Sequence, residues 1–278
     1  MCRFESDRRY FLIAIFMEFI RNVFRKKEPD VSEKVEVSVD GESGEETILR
    51  LRAKEESREL KSSGENKALF VKLKDDGSAI FKPKNGERSL RTEVKEGTYF
   101  KRARAAYLVS KALGFDIVPP TVIRSLDGEI GSIQQFVRNA KTYLEVSSEE
   151  KQKILQKHRG QLIALWIFDI IIWNSDRHDS NLLVADDVRA IDNDLSFGED
   201  GLRYLFGYYD TPIPPQIIAG LEHFSSSEDT RLVLKDLLLG LLSEQEVMAC
   251  FSRIDRIARL IKKGTISHLE KSILETYF

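Results

Sequence analysis

Between Asn174 and Leu183 the chain reads Asn-Ser-Asp-Arg-His-Asp-Ser-Asn-Leu-Leu, and a short apolar stretch later it reads Ile-Asp-Asn-Asp at Ile191 to Asp194. Three of these residues have the types and spacing for one kind of chemistry. Asp176 is a carboxylate on a loop. Asn181 follows five residues later and can reach back across the same loop, and Asp192 comes eleven residues after that. Phosphoryl transfer asks for little covalent work. It needs a carboxylate to position or deprotonate the attacking hydroxyl, and a metal to neutralise phosphate charge. Magnesium takes oxygen donors and keeps several waters, so one carboxylate and one amide, with phosphate oxygens, complete its shell. Asp176 fits the base, and Asn181 and Asp192 fit the metal ligands. Asp and Asn five apart also describe an ordinary turn. What sets this segment apart is the Arg177-His178 pair within it, the apolar helix before it and the Ile-Asp after it.

Such a site needs a cation for the phosphates. Lys82 ends an apolar strand, Ser78 to Lys82, just before Pro83, and is the best placed; Lys72, Lys74 and Lys84 compete with it. A phosphate-covering turn belongs ahead of that strand pair, where Ser62-Ser63-Gly64-Glu65-Asn66-Lys67 sits. Small and turn-forming residues such as Ser63, Gly64 and Asn66 let backbone N–H groups approach phosphate oxygens. With a single glycine, the segment reads equally well as a plain hairpin loop.

The elements that must position these residues fall into two halves. Ala68 to Leu73 and Ser78 to Lys82 alternate as strands around the Asp75-Asp76-Gly77 turn, with a further turn at Asn85-Gly86. Thr98 to Leu113 reads as a helix stopped by Gly114. Ile117 to Ile123 is extended, since each proline restricts its predecessor, and Gly131 to Val137 follows the Asp127-Gly128 turn as a strand. Gln161 to Trp173 is apolar nearly all round and predicts a buried helix; Thr230 to Leu242 and Glu244 to Lys263 are helical patterns. The expected class is α+β, with a small β-rich half carrying one helix ahead of a larger helical half. The expected segments are an apolar helix in 1–27, an acidic arm in 28–61, a β-rich lobe in 62–137 and a helical lobe in 138–278. Within the arm, Val35 to Val39 and Thr47 to Leu51 alternate like short strands.

Composition excludes several classes. The 278 residues are 42% hydrophobic and 32% charged, with a net charge of -2, so nothing in the whole-chain balance favours nucleic acid. Cys2 and Cys250 are far apart, carry no metal spacing and suit a reducing compartment such as the cytoplasm. The apolar run Phe11 to Ile20 is interrupted by Glu18. It is far short of the ~20 residues that span a bilayer. Its basic flanks, with Arg8, Arg9, Arg21, Arg25, Lys26 and Lys27, would let residues 8–27 rest on an anionic membrane surface. Packing on the domain or on a partner is the plainer reading.

Asn-x-Asp-Arg-His-x-x-Asn followed by Ile-Asp resembles the phosphatidylinositol 3-/4-kinase-like superfamily, which also holds HipA-type, secreted-pathway and actin-fragmin kinases. Three further segments are similar to a bacterial family within it: Phe81 to Arg88, Ala105 to Ser110 and Val118 to Val122. The resemblance covers about Ser62 to Ile266. It implies a bilobal kinase-like fold that uses ATP with Mg²⁺ or Mn²⁺. It places Lys82 on the ATP phosphates and Gln134 to Val137, with Phe136, at the hinge near adenine. It makes Asp176 catalytic and Asn181 and Asp192 metal ligands. Arg177 belongs to the motif, His178 would shape the loop, and Asp169 and Asn174 would brace it. One departure stands out. Relatives pair the lysine with a Glu on the small-lobe helix, but Thr98 to Phe115 contains no acidic residue and Ala103 falls at that place. Glu93 and Glu96 are the nearest substitutes.

The leading expectation is a kinase acting on a protein Ser or Thr or on a small-molecule hydroxyl. A nucleotide-binding pseudokinase is the alternative that the missing Glu favours. A phosphoinositide kinase should carry a basic loop after Asp192, and Ser196 to Asp210 offers Arg203 against Glu199, Asp200 and Asp210. Nucleotidyl transfer and a purely structural adaptor are the remaining readings.

Overall fold

Period-two alternation builds a five-stranded antiparallel sheet from the strands β1 (Lys54–Glu59), β2 (Leu69–Leu73), β3 (Gly77–Pro83), β4 (Thr121–Leu126) and β5 (Glu129–Gln135), in the order β1-β2-β3-β5-β4. The computed structural model describes residues 44–60, 66–88, 94–198 and 213–261. The expected helix at 8–27, the strand at Val35 to Val39, residues Ser63, Gly64 and Glu93, and most of 196–210 lie outside the described residues.

Two hairpins set the register. Asp75 and Asp76 both take positive φ between β2 and β3. Asp127 and Gly128 do the same between β4 and β5, where Leu126 faces Glu129. Left-handed pairs of this kind match the twist of the flanking strands. One face of the sheet is apolar: Val71, Leu73, Ala79, Phe81, Val122 and Ile133 are buried against one another. The other face carries Phe70, Ile80 and Lys82, since side chains alternate along a strand. The edge strand β1 is nearly all charged, which discourages pairing with a further strand.

Here the structure corrects the alternating reading of Thr47 to Leu51. Gly44–Leu51 is a helix, α1. Alternation would put Leu49 and Leu51 on one side, yet Leu49 is buried and Leu51 is exposed. The buried pair is Glu46 and Leu49, one helical turn apart. Glu46 accepts hydrogen bonds from Arg104 at 2.7 Å and Lys111 at 2.5 Å, both on the next helix. That long-range ion pairing overrides a weak local preference. The sheet also starts earlier than position 62, because β1 lies in the expected acidic arm.

Helix α2 (Tyr99–Ala112) begins where Glu87 accepts from the backbone N–H of Tyr99 at 3.1 Å and of Phe100 at 2.9 Å. A carboxylate there satisfies two orphan donors and complements the helix dipole. Ala105, Ala106, Leu108 and Val109 of α2 pack into the large helical core, not into the sheet core. That helical half contains α3 (Ser148–Lys157), α4 (Arg159–Ile172), α5 (Pro215–Ser226), α6 (Glu228–Leu239) and α7 (Glu244–Ile261). A small sheet, β6 (Lys141–Thr142), β7 (Leu182–Val184) and β8 (Val188–Ala190), completes it. Residues Leu162 to Ile172 of α4 are all buried, so this helix is the spine of the half.

Gly131 faces Pro83 across the β3–β5 ladder. A Cβ there would lie 2.2 Å from the Lys82 carbonyl oxygen and 2.8 Å from the Pro83 Cα. Backbone cannot yield as a side-chain tip does. Gly131→Ala is expected to lower stability by about 1–3 kcal/mol, measured by urea unfolding, and to displace the strand that carries Lys82.

Candidate active site

Helix α4 ends at Trp173, which takes a left-handed backbone (φ 54°) and donates its N–H back into the last turn. Glycine usually holds that place. The reversal turns the chain into the loop 174–181, with Asp169 of the last helical turn beneath it. Asp169 is buried and accepts from Arg177 Nε at 2.9 Å, Arg177 Nη2 at 3.1 Å and Asn174 Nδ2 at 3.1 Å. The two-point contact is the fork geometry that a guanidinium makes with a carboxylate. Asn174 Oδ1 in turn accepts from the Asp176 N–H at 3.0 Å.

Arg177 is the centre of this arrangement, at 4% exposure. Its Nη1 donates to the carbonyls of Asn181 at 2.7 Å and Ile191 at 2.9 Å, and its Nη2 donates to Asn193 Oδ1. One side chain thereby fixes the start of the loop, its end and the segment after β8. The short turn Asp179–Asn181 brings Asn181 back so that its Nδ2 donates to the Asp176 carbonyl at 3.0 Å and lies 3.1 Å from His178 Nε2. With Nδ2 so engaged, Oδ1 is the atom of this amide left for a ligand. Asp176 itself is left 30% exposed, with His178 Nε2 3.9 Å from its carboxylate.

Across from the loop stands Lys82, on the sheet face opposite the core. Its ammonium donates to Asp192 Oδ1 and, at 2.9 Å, to Asp194 Oδ2. The competing lysines are elsewhere: Lys72 pairs with Glu55 at 3.6 Å, while Lys74 and Lys84 are exposed. Asp192 takes a left-handed backbone (φ 57°), which Asp tolerates better than most residues. Burial opposes the charge on Lys82, but the two carboxylates outweigh it and hold the ammonium well above the usual lysine range. Burial likewise opposes ionisation of Asp192, and the Lys82 ammonium overcomes it and holds this carboxyl below the usual range. Asp194 goes the other way: burial and then the Asp192 charge push it up to about 7.

The remaining candidates divide. Asn66 lines one small pocket with Lys67, Lys82, Glu87 and Asp194, and its Oδ1 accepts from the Arg88 N–H at 2.9 Å. Gln134 is engaged with Thr121 Oγ1 at 2.8 Å. Phe136 is partly exposed and meets Phe70 edge-on, with ring centroids 5.2 Å apart. Phe70, Ile80 and Phe136 thus present apolar surface beside Lys82 on the same side of the sheet. Among the described residues, both carboxylates that pair with Lys82 come from the segment after β8, and Glu96 is not one of them. Asp194, Glu87 and Phe70 were not among the expected site residues. Asp194 had one signal, a second carboxylate two residues past the expected metal ligand.

Oxygen donors dominate the site. Among the described residues no three His, Cys, Asp or Glu side chains cluster as a metal cage. A single carboxylate plus an amide oxygen, Asp192 with Asn181, suits Mg²⁺ or Mn²⁺, which complete their shells with water and phosphate. It does not suit Zn²⁺, which takes nitrogen and sulfur ligands in a closed tetrahedron.

The chain is similar to known proteins in sequence and in fold. The family model for phosphatidylinositol 3- and 4-kinase matches residues 94–251. Protein Rv2133c of Mycobacterium tuberculosis is 29% identical over 178 aligned residues, which cover 51% of this chain and 64% of that protein. The chain therefore spans less than two thirds of that relative. The structure of hydra Fam20 with sugar superposes with a TM-score of 0.52 at 15% identity, over 78% of this chain and 87% of that one. The Golgi casein kinase with Mn/ADP bound gives 0.51 at 15% identity, over 77% and 73%. At such identities the likeness establishes a kinase-like fold, with its sheet-rich first part and helical second part.

Arg177→Ala would leave Asp169 buried without its counter-charge. It is expected to cost about 3–5 kcal/mol in chemical denaturation. Arg177→Lys should recover little of that, because an ammonium cannot make the forked contact.

Proposed function

Because the chain belongs to the phosphatidylinositol 3- and 4-kinase family, we propose that it is a phosphotransferase that delivers the γ-phosphate of ATP to a hydroxyl group. The observation that carries the proposal is the meeting of Lys82 with Asp192 at the edge of the loop that holds Asp176 and Asn181.

In this reading the adenine ring lies on the apolar surface of Phe70, Ile80 and Phe136, next to the hinge residues Gln134 to Val137. Lys82 binds phosphate oxygens, and its two carboxylate partners keep it charged at any physiological pH. Asp192 and Asn181 Oδ1 hold the divalent ion; when bound, it neutralises phosphate charge. A structural neighbour holding Mn and ADP supports that choice of cofactors. Asp176 receives the proton of the acceptor hydroxyl. Its partial exposure leaves room for an acceptor, while the Asn174 side chain fixes its backbone. His178 and Arg177 shape the loop, and Asn66 contacts the phosphates, a role the sequence also gives to Ser63 and Gly64. Transfer by such a site is chiefly positioning and charge stabilisation.

The acceptor we favour is a protein Ser or Thr, or a small-molecule alcohol. A phosphoinositide is the weaker choice, since the segment Ser196 to Asp210 carries Arg203 as its one base. A second reading, nucleotide binding without turnover, is favoured by one observation: α2 carries no carboxylate for Lys82. We place the protein in the cytoplasm, with residues 8–27 packed on the domain or on a partner or, in the less favoured reading, in peripheral contact with an anionic membrane. Deleting residues 1–27 should then abolish co-sedimentation with anionic liposomes; unchanged binding would refute the contact.

Two variants test the catalytic assignment. Asp176→Ala should retain the thermal shift produced by Mg-ATP and lose at least about a hundredfold in transfer from γ-labelled ATP. Asp192→Ala should lose both the shift and the transfer. A shift without labelling in the wild-type protein would favour the second reading, and Asp176→Ala turning over at the wild-type rate would remove Asp176 as the base.

A further inference from the structure

Lys82 meets two carboxylates, and they differ in kind. The Asp192 side chain is 40% exposed and is the group that the proposed function gives to the metal. The Asp194 side chain is 6% exposed and has its Oδ2 2.9 Å from the Lys82 ammonium. A carboxylate that also ligated a divalent ion would have less of its charge and fewer of its lone pairs left for a lysine. With Asp192 so shared, a second partner would keep the Lys82 ammonium aimed.

Asp194 is placed to be that second partner. The chain on both sides of it is pinned. Arg177 binds the Ile191 carbonyl and the Asn193 side chain. Ser175 donates to the Leu195 carbonyl from both its N–H and its Oγ, at 3.1 Å each. The Phe197 N–H donates to the Ile172 carbonyl at 2.6 Å. Buried and backbone-fixed, Asp194 has little freedom to follow a metal.

Among the described residues, no carboxylate of the small-lobe helix or its entry pairs with Lys82. Both oxygens of Glu87 accept from the first N–H groups of α2. Helix α2 carries no acidic side chain, and its Arg102 donates to the Ser196 carbonyl and pairs with Glu246. Among the described residues, the carboxylates within ion-pair distance of Lys82 are Asp192 and Asp194.

We infer that Asp194 is the positioning residue for Lys82, doing from the segment after β8 what a helix carboxylate does in other kinases. The inference rests on the proposed nucleotide site. It means that the missing helix Glu does not by itself mark an inactive protein. It also means that the lysine pair forms between the sheet and the helical half, with α2 uninvolved.

The test is a double-mutant cycle on Mg-ATP affinity, read with a fluorescent ATP analogue on the full chain. Asp194→Asn keeps the shape and removes the charge. It should weaken Mg-ATP by about 10- to 100-fold, the range seen when a supporting residue is removed. In a Lys82→Ala background the same change should have no further effect, because the group it serves is gone. Asp194→Glu should regain most of the affinity although the larger side chain strains a buried position. A merely structural residue would behave in the opposite way, with Glu harming as much as Asn. If Asp194→Asn does not fold, Asp194→Ser replaces it in the cycle. Affinity within twofold of wild type for the Asn or Ser variant overturns the inference, as does an equal loss in the Lys82→Ala background. Wild-type protein that binds no Mg-ATP at all overturns the nucleotide site itself, and the inference with it.

Discussion

Arg177 sits where the end of α4, the loop after it and the segment after β8 converge, and the geometry of the site depends on its buried pairing with Asp169. A guanidinium out of water is costly unless every donor direction is answered. Here the answers come from Asp169, two backbone carbonyls and Asn193. Those partners are separated along the chain but must come to one point for the charge to be tolerated. The cost of burying the charge therefore acts as a constraint on loop shape. Asp176 and Asn181 inherit their positions from it, and so does Asp192 through the fixed Ile191 carbonyl.

Lys82 extends that constraint to the sheet. It leaves the face of β3 opposite the apolar core and reaches carboxylates held by the Arg177 network. The sheet meets the loop segment through this side chain, so the register of β3 against β5 matters for the site. The Pro83–Gly131 pairing, with no room for a side chain at Gly131, holds that register next to the lysine. Local backbone packing and long-range charge thus meet at one strand end.

Much of this was legible in the sequence where the determining contacts are local. The hairpin at Asp127-Gly128, the helix stopped before Gly114 and the buried helix ahead of Asn174 follow from turn chemistry and apolar periodicity. The loop motif was legible because Asp176, Arg177 and Asn181 act on one another within a few residues. What the sequence hid depends on distant partners. Helix α1 has a pattern that also suits a strand, and its state is decided by Arg104 and Lys111 more than fifty residues on. Asp194 reads as one more acidic turn residue until Lys82, 112 positions earlier, is brought against it. The absence of a Glu on α2 was visible, but its remedy was not, because nothing in a helix pattern points to a loop that replaces it.

The packing of α2 has a consequence for how the molecule opens. This helix lies between β3 and β4 in the chain, yet its buried apolar side chains belong to the large helical core, while the sheet keeps a separate, smaller core of its own. Cooperative units follow shared burial more than chain order. An opening that parts the sheet from the helical half must therefore break the Glu46 pairs with Arg104 and Lys111 and the bond from Arg104 to the Thr121 carbonyl. Within the described residues α2 is thus a tie between the two cores, and Lys82 stands on the sheet side of it.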